Sequence, residues 1–302
     1  MALNMLRGIV PPLVTPLADD DRLDVAGLER LVEHVVGGGV HGVFVLGTTG
    51  EAASLSPALR KELVDRTCKL VAGRVRVLVG ITDTCVGESL ALARHAAEAG
   101  AAAVVVAPPY YLPPDQEELV DHAKMIASEQ PLPVVLYNIP SLTKIAYEKA
   151  TVLRLSEVPR IIGIKDSSGE LAYVRELLRS VEREDFSIMV GIESLIGEGV
   201  MAGADGGVPA GGNAAPGLFV EWYRAAMDKK TGEVAALSHY VQQLGEIYRV
   251  GCGIAAIVRG IKCAVACMGI CDRRMARPFR SLDEAQRTTV RRILADLGLL
   301  GN

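Results

Sequence analysis

One lysine stands out among the residues that could do covalent chemistry. Lys165 ends an apolar run that contains Ile161, Ile162 and Ile164, as expected of an interior β-strand. Because burial disfavours a charged ammonium group, we expect this amine to act as a nucleophile that forms a Schiff base with a carbonyl substrate. The alternative is a lysine at a strand end that extends its charge into solvent and has no chemical role.

Three further apolar runs end in side chains that suit this chemistry. Thr48 and Thr49 follow Gly47 after one run, Tyr111 follows another, and Tyr137 lies at the end of a third. Forming and dehydrating a carbinolamine each move a proton, so we expect Tyr137 to shuttle protons and Thr48 to relay them. Thr49 and the backbone amides of the turn at Gly47 suit the carboxylate of a 2-oxo acid. A core aromatic with a satisfied hydroxyl is the alternative interpretation of Tyr137.

Buried strands must bring these strand ends together. Eight runs rich in Val, Ile and Leu recur along the chain, and they are continuous rather than alternating. This pattern favours strands that are buried on both faces of a parallel sheet. The runs lie near residue 10 and at 42–46, 74–80, 101–107, 133–138, 160–165, 187–191 and 206–210.

The order of these segments predicts the fold class. Helical spacing separates the runs, for example at Leu171 and Val174. Eight strands that alternate with helices favour an α/β fold, a (β/α)8 barrel, whose active site lies at the carboxyl ends of the strands. An open doubly wound sheet would show the same alternation. Only helical periods remain near the end, so we expect a catalytic barrel over residues 1–220 and a C-terminal helical region packed on it over 221–302.

The composition excludes several classes of function. The 302 residues carry 32 Lys and Arg against 36 Asp and Glu, and no basic run is present. We therefore expect no binding to nucleic acid or to an anionic membrane. The longest apolar block, Ala99–Ala107, is far too short to span a bilayer, and the proline-interrupted start does not resemble a signal peptide. These features predict a soluble, cytoplasmic protein with reduced cysteines.

Two apparent motifs do not fit their usual chemistry. The segment Gly37–Gly42 contains GxGxxG, but a helical pattern precedes it and a strand follows, the reverse of a dinucleotide site. Cys263, Cys267 and Cys271 recur every four residues and would share one face of a helix. A soft metal ion would suit such a face, but we interpret these thiols as small buried hydrophobes. We expect neither a metal site nor a cofactor.

Four motifs, taken in order, resemble one known family. GTTGE at 47–51, PPYY at 108–111, YNIP at 137–140 and GIKDSSG at 163–169 are similar to motifs of the dihydrodipicolinate synthase/N-acetylneuraminate lyase family. The resemblance covers the whole chain, including the helical tail. It implies a TIM barrel, Schiff-base chemistry with pyruvate that uses no metal, and a homo-oligomer, commonly a tetramer built from dimers.

The resemblance also implies roles for individual residues. Those that match its catalytic positions are Lys165 as the Schiff-base lysine, Tyr137 as the tyrosine beside it, and Thr48 with Thr49 as the threonine pair. Tyr111 matches the tyrosine that, in the synthase branch, reaches into the site of the neighbouring subunit. Val208 would offer backbone contacts to the keto acid.

Departures from the family pattern bear on the substrate. The synthase branch has an Arg that holds the carboxylate of the aldehyde, where this chain has Leu142, which cannot form such a pair. The lyase branch has an Asp-Glu pair after the seventh strand and a Ser after the eighth. This chain has Glu193 and Ser194 at the pair, and Ala210 in place of that Ser. Glu193 and Ser194 can still form hydrogen bonds to a hydroxylated substrate tail.

We therefore expect a class I aldolase or lyase that acts on a 2-oxo acid, with pyruvate as the keto fragment and an aldehyde as the other. Dihydrodipicolinate synthesis, N-acetylneuraminate cleavage, and cleavage or dehydration of a 2-keto-3-deoxy sugar acid are the alternatives. A sensor that only binds a keto acid is an alternative of another class. The combination of Lys165, Tyr137 and Thr48 argues against a sensor, because binding alone does not need a nucleophile.

Overall fold

Eight short parallel strands form the centre of the molecule in the computed structural model, which describes residues 5–300. Each predicted apolar run overlaps one of them. The strands are β1 (Gly8–Ile9), β2 (Gly42–Val45), β3 (Arg76–Gly80), β4 (Ala103–Val106), β5 (Val134–Asn138), β6 (Ile161–Asp166), β7 (Ser187–Val190) and β8 (Gly206–Gly207).

The strands close into a barrel. Strands β2 to β8 pair in parallel with their neighbours in sequence, and β1 pairs with β8. The remaining seam, between β1 and β2, is held by a parallel bridge between Pro12 and Phe44. There the Phe44 N–H donates to the Pro11 carbonyl, and the Leu13 N–H donates to the Phe44 carbonyl. The fold is therefore a TIM barrel, and the alternative of an open doubly wound sheet is wrong.

A helix follows each strand and packs outside the barrel. A two-stranded antiparallel hairpin, Leu17–Asp19 with Arg22–Leu23, precedes the first helix. The barrel helices are α1 (Val25–Gly37), α2 (Pro57–Val71), α3 (Val86–Glu98), α4 (Gln116–Glu129), α5 (Lys149–Ser156), α6 (Leu171–Ser180), α7 (Ile196–Met201) and α8 (Pro216–Met227).

Three further helices form a C-terminal appendage. They are α9 (Thr231–Gly245), α10 (Ala256–Cys267) and α11 (Glu284–Asp296), with a 3-10 turn at Glu246–Arg249 between the first two. The predicted division at residues 220 and 221 falls inside α8, and its outer ends, residues 1–4 and 301–302, lie outside the described residues. The division into two units stays a prediction.

Strand periodicity decides which side chains enter the barrel. Successive residues of a strand point to opposite faces. On β5, Val134 and Leu136 pack outward in the layer between strands and helices, whereas Val135 and Tyr137 belong to the inner cluster. On β6, Ile164 packs outward, so the next residue along the strand points inward. The barrel thus directs the side chains at the ends of β5 and β6 into its upper mouth.

The motifs set aside in the sequence have structural roles. Gly37 ends α1 and Gly42 begins β2, so the glycines form a helix-to-strand connection, as predicted. Cys263 and Cys271 are buried in the core, which agrees with the hydrophobic interpretation. However, α10 ends at Cys267, so the prediction that all three cysteines share a helix face is wrong. Within residues 5–300, no helix combines the length and apolar character needed to cross a bilayer.

Candidate active site

Lys165 and Tyr137 are direct neighbours inside the barrel mouth. They are paired in register across β6 and β5, and each side chain is about 6% exposed. The Lys165 Nζ lies 3.9 Å from the centroid of the Tyr137 ring and 5.3 Å from that of Phe44. The alternative of a strand-end lysine extending into solvent is therefore wrong. The amine is enclosed by two aromatic rings.

Gly191, directly after β7, leaves the space that this lysine occupies. A Cβ added at this position would lie 3.0 Å from the Lys165 Cε and 2.0 Å from the Ser167 Oγ. Any larger residue would therefore push against the nucleophile or its neighbour. Sequence reasoning did not single out Gly191. The signal in the sequence was a glycine at the end of the apolar run of β7. It indicates space for Lys165 only when β6 and β7 are known to be adjacent.

The threonine loop, residues 47–51, follows β2 and supplies the next hydroxyl. The Thr48 Oγ1 lies 3.4 Å from the Tyr137 hydroxyl, with either atom able to donate. Thr49 is buried, whereas Thr48 is exposed to the cavity described next. The Thr15 hydroxyl donates to the Gly50 carbonyl at 2.7 Å and holds the loop from the barrel side.

A cavity of about 640 Å³ opens at the carboxyl ends of the strands. It unites seven of the predicted site residues: Thr48, Thr49, Tyr137, Lys165, Glu193, Ser194 and Val208. Gly47 lines an adjoining cavity of about 310 Å³, which also contains Tyr110. The helical appendage forms the opposite wall of the larger cavity, through Val241, Tyr248, Ile254, Ile257 and Val258.

The carboxylate of Glu193 is held in the wall of this cavity. Its Oε2 accepts a hydrogen bond from the Gly211 N–H at 2.7 Å, and the Tyr248 hydroxyl donates at 3.1 Å. The residue as a whole is partly exposed, but these partners enclose its carboxylate. Burial raises the pKa of Glu193 to about 7, although the hydrogen bonds from Gly211 and Tyr248 act to lower it. Near neutral pH this group can therefore both accept and donate a hydrogen bond.

Tyr248 is a site residue that sequence reasoning missed. It lies in the 3-10 turn that follows α9, and it lines the cavity. Burial and the adjacent Glu193 raise the pKa of Tyr248 well above its usual value, so it remains a donor to that carboxylate. The sequence showed only a tyrosine within a helical period, a pattern that equally fits a core aromatic.

Val208 and Tyr111 differ in their position relative to the two cavities, since Val208 lines the larger one and Tyr111 lines neither. The Val208 N–H donates to the Val190 carbonyl at 2.9 Å, so of its backbone groups only the carbonyl remains to meet a keto acid. Tyr111 lies outside both cavities and is 89% exposed, with a left-handed backbone φ of 80°. A role for Tyr111 within its own chain's site is not supported by this position.

Almost the whole chain matches the sequence profile of one known protein family. The profile of the dihydrodipicolinate synthetase family matches residues 5–297. The chain belongs to this family. It is an enzyme, a lyase of the dihydrodipicolinate synthetase family, as the sequence motifs predicted.

Relatives in the dihydrodipicolinate synthetase family match along nearly their whole length. A 4-hydroxy-tetrahydrodipicolinate synthase of Pseudomonas putida W619 is 33% identical over 98% of this chain and 100% of its own. The solved structure of a dihydrodipicolinate synthase from Bacteroides thetaiotaomicron is 45% identical, with a TM-score of 0.94 over 97% of this chain and 99% of that one. YagE of Escherichia coli, solved in complex with pyruvate, is 30% identical, with a TM-score of 0.92 over 97% and 99% of the two chains.

The side chains that could bind a metal are not grouped in this member of the family. Among residues 5–300, no set of three or more His, Cys, Asp or Glu side chains is placed to hold an ion. In the same part of the chain, all six cysteines carry free thiols. The polar groups that line the larger cavity are the amine of Lys165, several hydroxyls, the amide of Gln242, the guanidinium of Arg249 and the carboxyl groups of Glu193 and Glu246.

Proposed function

We propose that this protein is a class I aldolase that makes and breaks a carbon–carbon bond of a 2-oxo acid through a Schiff base on Lys165. Pyruvate would be the keto fragment and an aldehyde the other. The observation that carries the proposal is the enclosed Lys165 amine beside Tyr137, whose hydroxyl faces Thr48. The pyruvate complex of the related YagE supports the choice of keto acid.

In the cleavage direction, the Lys165 Nζ attacks C2 of the 2-oxo acid, and the carbinolamine loses water to give a protonated imine. Tyr137 and Thr48 move the protons of these two steps. A base then takes the proton of the C4 hydroxyl, the C3–C4 bond breaks, and its electron pair flows into the imine to give an enamine. The aldehyde leaves, C3 takes a proton, and water releases pyruvate from Lys165. This sequence balances without a cofactor, and we propose that none is used.

The carboxylate of the keto acid would bind at the threonine loop. Thr49 lines the cavity close to the loop amides, and hydroxyl and N–H donors are the groups that bind a carboxylate. Such binding would place C2 near the Lys165 amine. The cavity then extends from Lys165 toward Glu193 and the helical appendage, where the remainder of the substrate would lie.

The remainder of the substrate would be neutral and hydroxylated. Apart from Lys165, the cationic side chain that lines the cavity within residues 5–300 is Arg249, which lies at the surface and pairs with Glu246 at 2.9 Å. Leu142 offers no charge to a second carboxylate, and an ionised Glu193 would repel one. The carboxyl group of Glu193 and the hydroxyl of Ser194 instead suit hydroxyl groups. A 2-keto-3-deoxy sugar acid fits this description.

Borohydride trapping tests the proposal. Incubation with pyruvate followed by reduction should attach the keto acid to Lys165, and peptide mass spectrometry should locate the adduct. Lys165→Ala should abolish both adduct and turnover, whereas the matched control Lys144→Ala should change neither. A wild-type protein that folds but gives no adduct would refute the aldolase mechanism.

A screen of aldehydes then identifies the second substrate. With pyruvate, neutral hydroxyaldehydes such as glyceraldehyde should condense at least tenfold faster than aspartate semialdehyde, because Leu142 cannot pair with the carboxylate of the latter. Faster condensation with aspartate semialdehyde would assign the synthase activity instead. Loss of water from a sugar acid without an aldehyde product would assign a dehydratase that uses the same lysine.

A further inference from the structure

A buried ion pair outside the larger cavity joins the threonine loop to the helical appendage. The Lys262 Nζ, on α10, lies 2.5 Å from the Glu51 Oε1, at the end of the loop. The Lys262 side chain is completely inaccessible, and that of Glu51 is nearly so. The mechanism above uses neither residue. Burying a pair of charges is costly unless both groups have further hydrogen-bond partners. The partners of Lys262 and Glu51 therefore indicate which segments the ion pair holds in place.

Each end of the pair has a second partner in the segment between α10 and α11. The Glu51 Oε2 accepts a hydrogen bond from the Ala276 N–H at 2.8 Å, and the Lys262 Nζ donates to the Arg274 carbonyl at 2.6 Å. The threonine loop therefore meets two neighbouring parts of the appendage at one site, where each charged group has two partners. The loop is held from the appendage side through Glu51.

The threonine loop needs such an anchor because its backbone is strained at both ends. Leu46, just before the loop, and Glu51, at its end, have left-handed φ values of 58° and 56°, although neither is glycine. This conformation is unfavourable for residues with a side chain and persists only where the surroundings enforce it. The ion pair of Glu51 supplies that enforcement at one end.

A single backbone hydrogen bond connects Glu51, the loop residue of the ion pair, to Thr48. The Glu51 N–H donates to the Thr48 carbonyl at 3.0 Å, within a single turn. The contact from Thr48 to Tyr137 is 3.4 Å, longer than the roughly 2.8 Å typical of hydroxyl–hydroxyl hydrogen bonds. Because these two oxygens are already near the upper limit of hydrogen-bond distance, a small displacement of the loop would break the contact.

We infer that Lys262 is a positioning residue for catalysis: by holding Glu51 it sets the threonine loop so that Thr48 can relay a proton with Tyr137. This inference rests on the proposed Schiff-base function. It assigns to the appendage a part in the proton-transfer steps, in addition to its part in the cavity wall. The Lys165 nucleophile itself, on the far side of Tyr137, should be unaffected.

The test separates the rate of Schiff-base formation from its final extent. In Lys262→Met, time-resolved borohydride quenching with pyruvate should show formation slowed by about tenfold or more, because displacing a catalytic group by a fraction of an ångström has effects of that order. The KM for pyruvate should rise, because the same loop is proposed to bind its carboxylate, but trapping after long incubation with saturating pyruvate should still reach the wild-type level on Lys165. Failure of trapping in the wild type would instead refute the proposed function.

Two further variants control for loss of stability. Lys262→Met combined with Glu51→Gln removes both charges, which is less damaging than leaving one buried and unpaired, and should show the same slow formation. Arg183→Met is the matched control, since its guanidinium binds the Ser156 and Ile161 carbonyls at the start of β6, away from the cavity. It should lower the melting temperature but leave the rate constant within about twofold. Wild-type rates in the folded double variant, or equal slowing in Arg183→Met, would overturn the inference.

Discussion

Tyr137 meets Lys165 with its ring and Thr48 with its hydroxyl. An aromatic face attracts the ammonium form of the lysine, whereas attack on a carbonyl uses the neutral amine. The incoming keto acid must therefore replace the ring as the partner of the nitrogen. In the proposed mechanism one side chain thus has two functions, a resting contact through its ring and proton transfer through its hydroxyl.

Glu193 makes stability depend on pH in a specific window. Its pKa is raised from 4.5 to about 7, so the folded state favours the protonated form. This contribution to the free energy of unfolding is complete below about pH 4.5, is lost as pH rises through 7, and is absent above. Glu193→Gln, which stays neutral, should therefore gain stability relative to wild type by up to ~3 kcal/mol between pH 4.5 and 8.

Urea unfolding across this pH range measures the effect. Glu198→Gln on α7, the same substitution at an exposed position, provides the control. The same Glu193→Gln variant should also flatten any change in KM for a hydroxylated substrate near pH 7. A stability difference that is constant from pH 4.5 to 8 would contradict the buried, neutral carboxyl group.

At the scale of elements, the end of β7 limits the position of β6. Gly191→Ala would place a methyl group against Ser167 and the Lys165 chain. We expect turnover to fall by about tenfold or more and the free energy of unfolding to fall by ~1–3 kcal/mol, the usual cost of overpacking. Thermal unfolding and the pyruvate trapping rate measure both effects.

A glycine in open surroundings is the control for this substitution. Gly232 lies in the first turn of α9, and a Cβ there meets nothing within 4 Å. Gly232→Ala should keep wild-type activity and be slightly more stable, because alanine favours the helix. Wild-type activity in Gly191→Ala would show that the space beside Lys165 is not needed.

The barrel strands could be predicted because they are buried on both faces, which leaves continuous apolar runs in the sequence. Lys165 and Tyr137 could be predicted because each is a reactive side chain at the end of such a run. The positions of Tyr248 and Lys262 could not, since each depends on contacts between distant parts of the chain. Even β1 and β8, with two residues each, are defined more by their partners than by their own sequence.

At the scale of the whole molecule, exposed apolar residues indicate a further contact. Tyr111 and Leu112, 89% and 78% exposed, follow one another on the catalytic side of the barrel. Contiguous exposed apolar surface marks interaction sites, and these two adjacent side chains would contribute to such a surface. We propose that copies of the chain associate, as a dimer or a tetramer, and that Tyr111 reaches the site of a second copy.

Mixing inactive subunits tests this association. Tyr111→Ala should lower kcat by about tenfold or more, and mixing it with Lys165→Ala should restore part of the activity, because one site of a mixed dimer then has both residues. Mixing Lys165→Ala with Tyr137→Phe should restore none, since both residues belong to one subunit's site. Full activity of Tyr111→Ala would contradict a role for Tyr111, whatever the oligomeric state.

The sequence separations of the contacts in the site imply an order in which these contacts form during folding. Lys165 and Tyr137 lie on consecutive strands, so their contact closes only a short loop. The contact from Thr48 to Tyr137 spans 89 residues, and the Glu51–Lys262 pair joins the threonine loop after β2 to α10. Contacts between distant residues are slow to form. In a nascent barrel Lys165 and Tyr137 would therefore meet before Thr48 reaches Tyr137, and Glu51 would gain its partner only when the C-terminal helices have packed on the barrel.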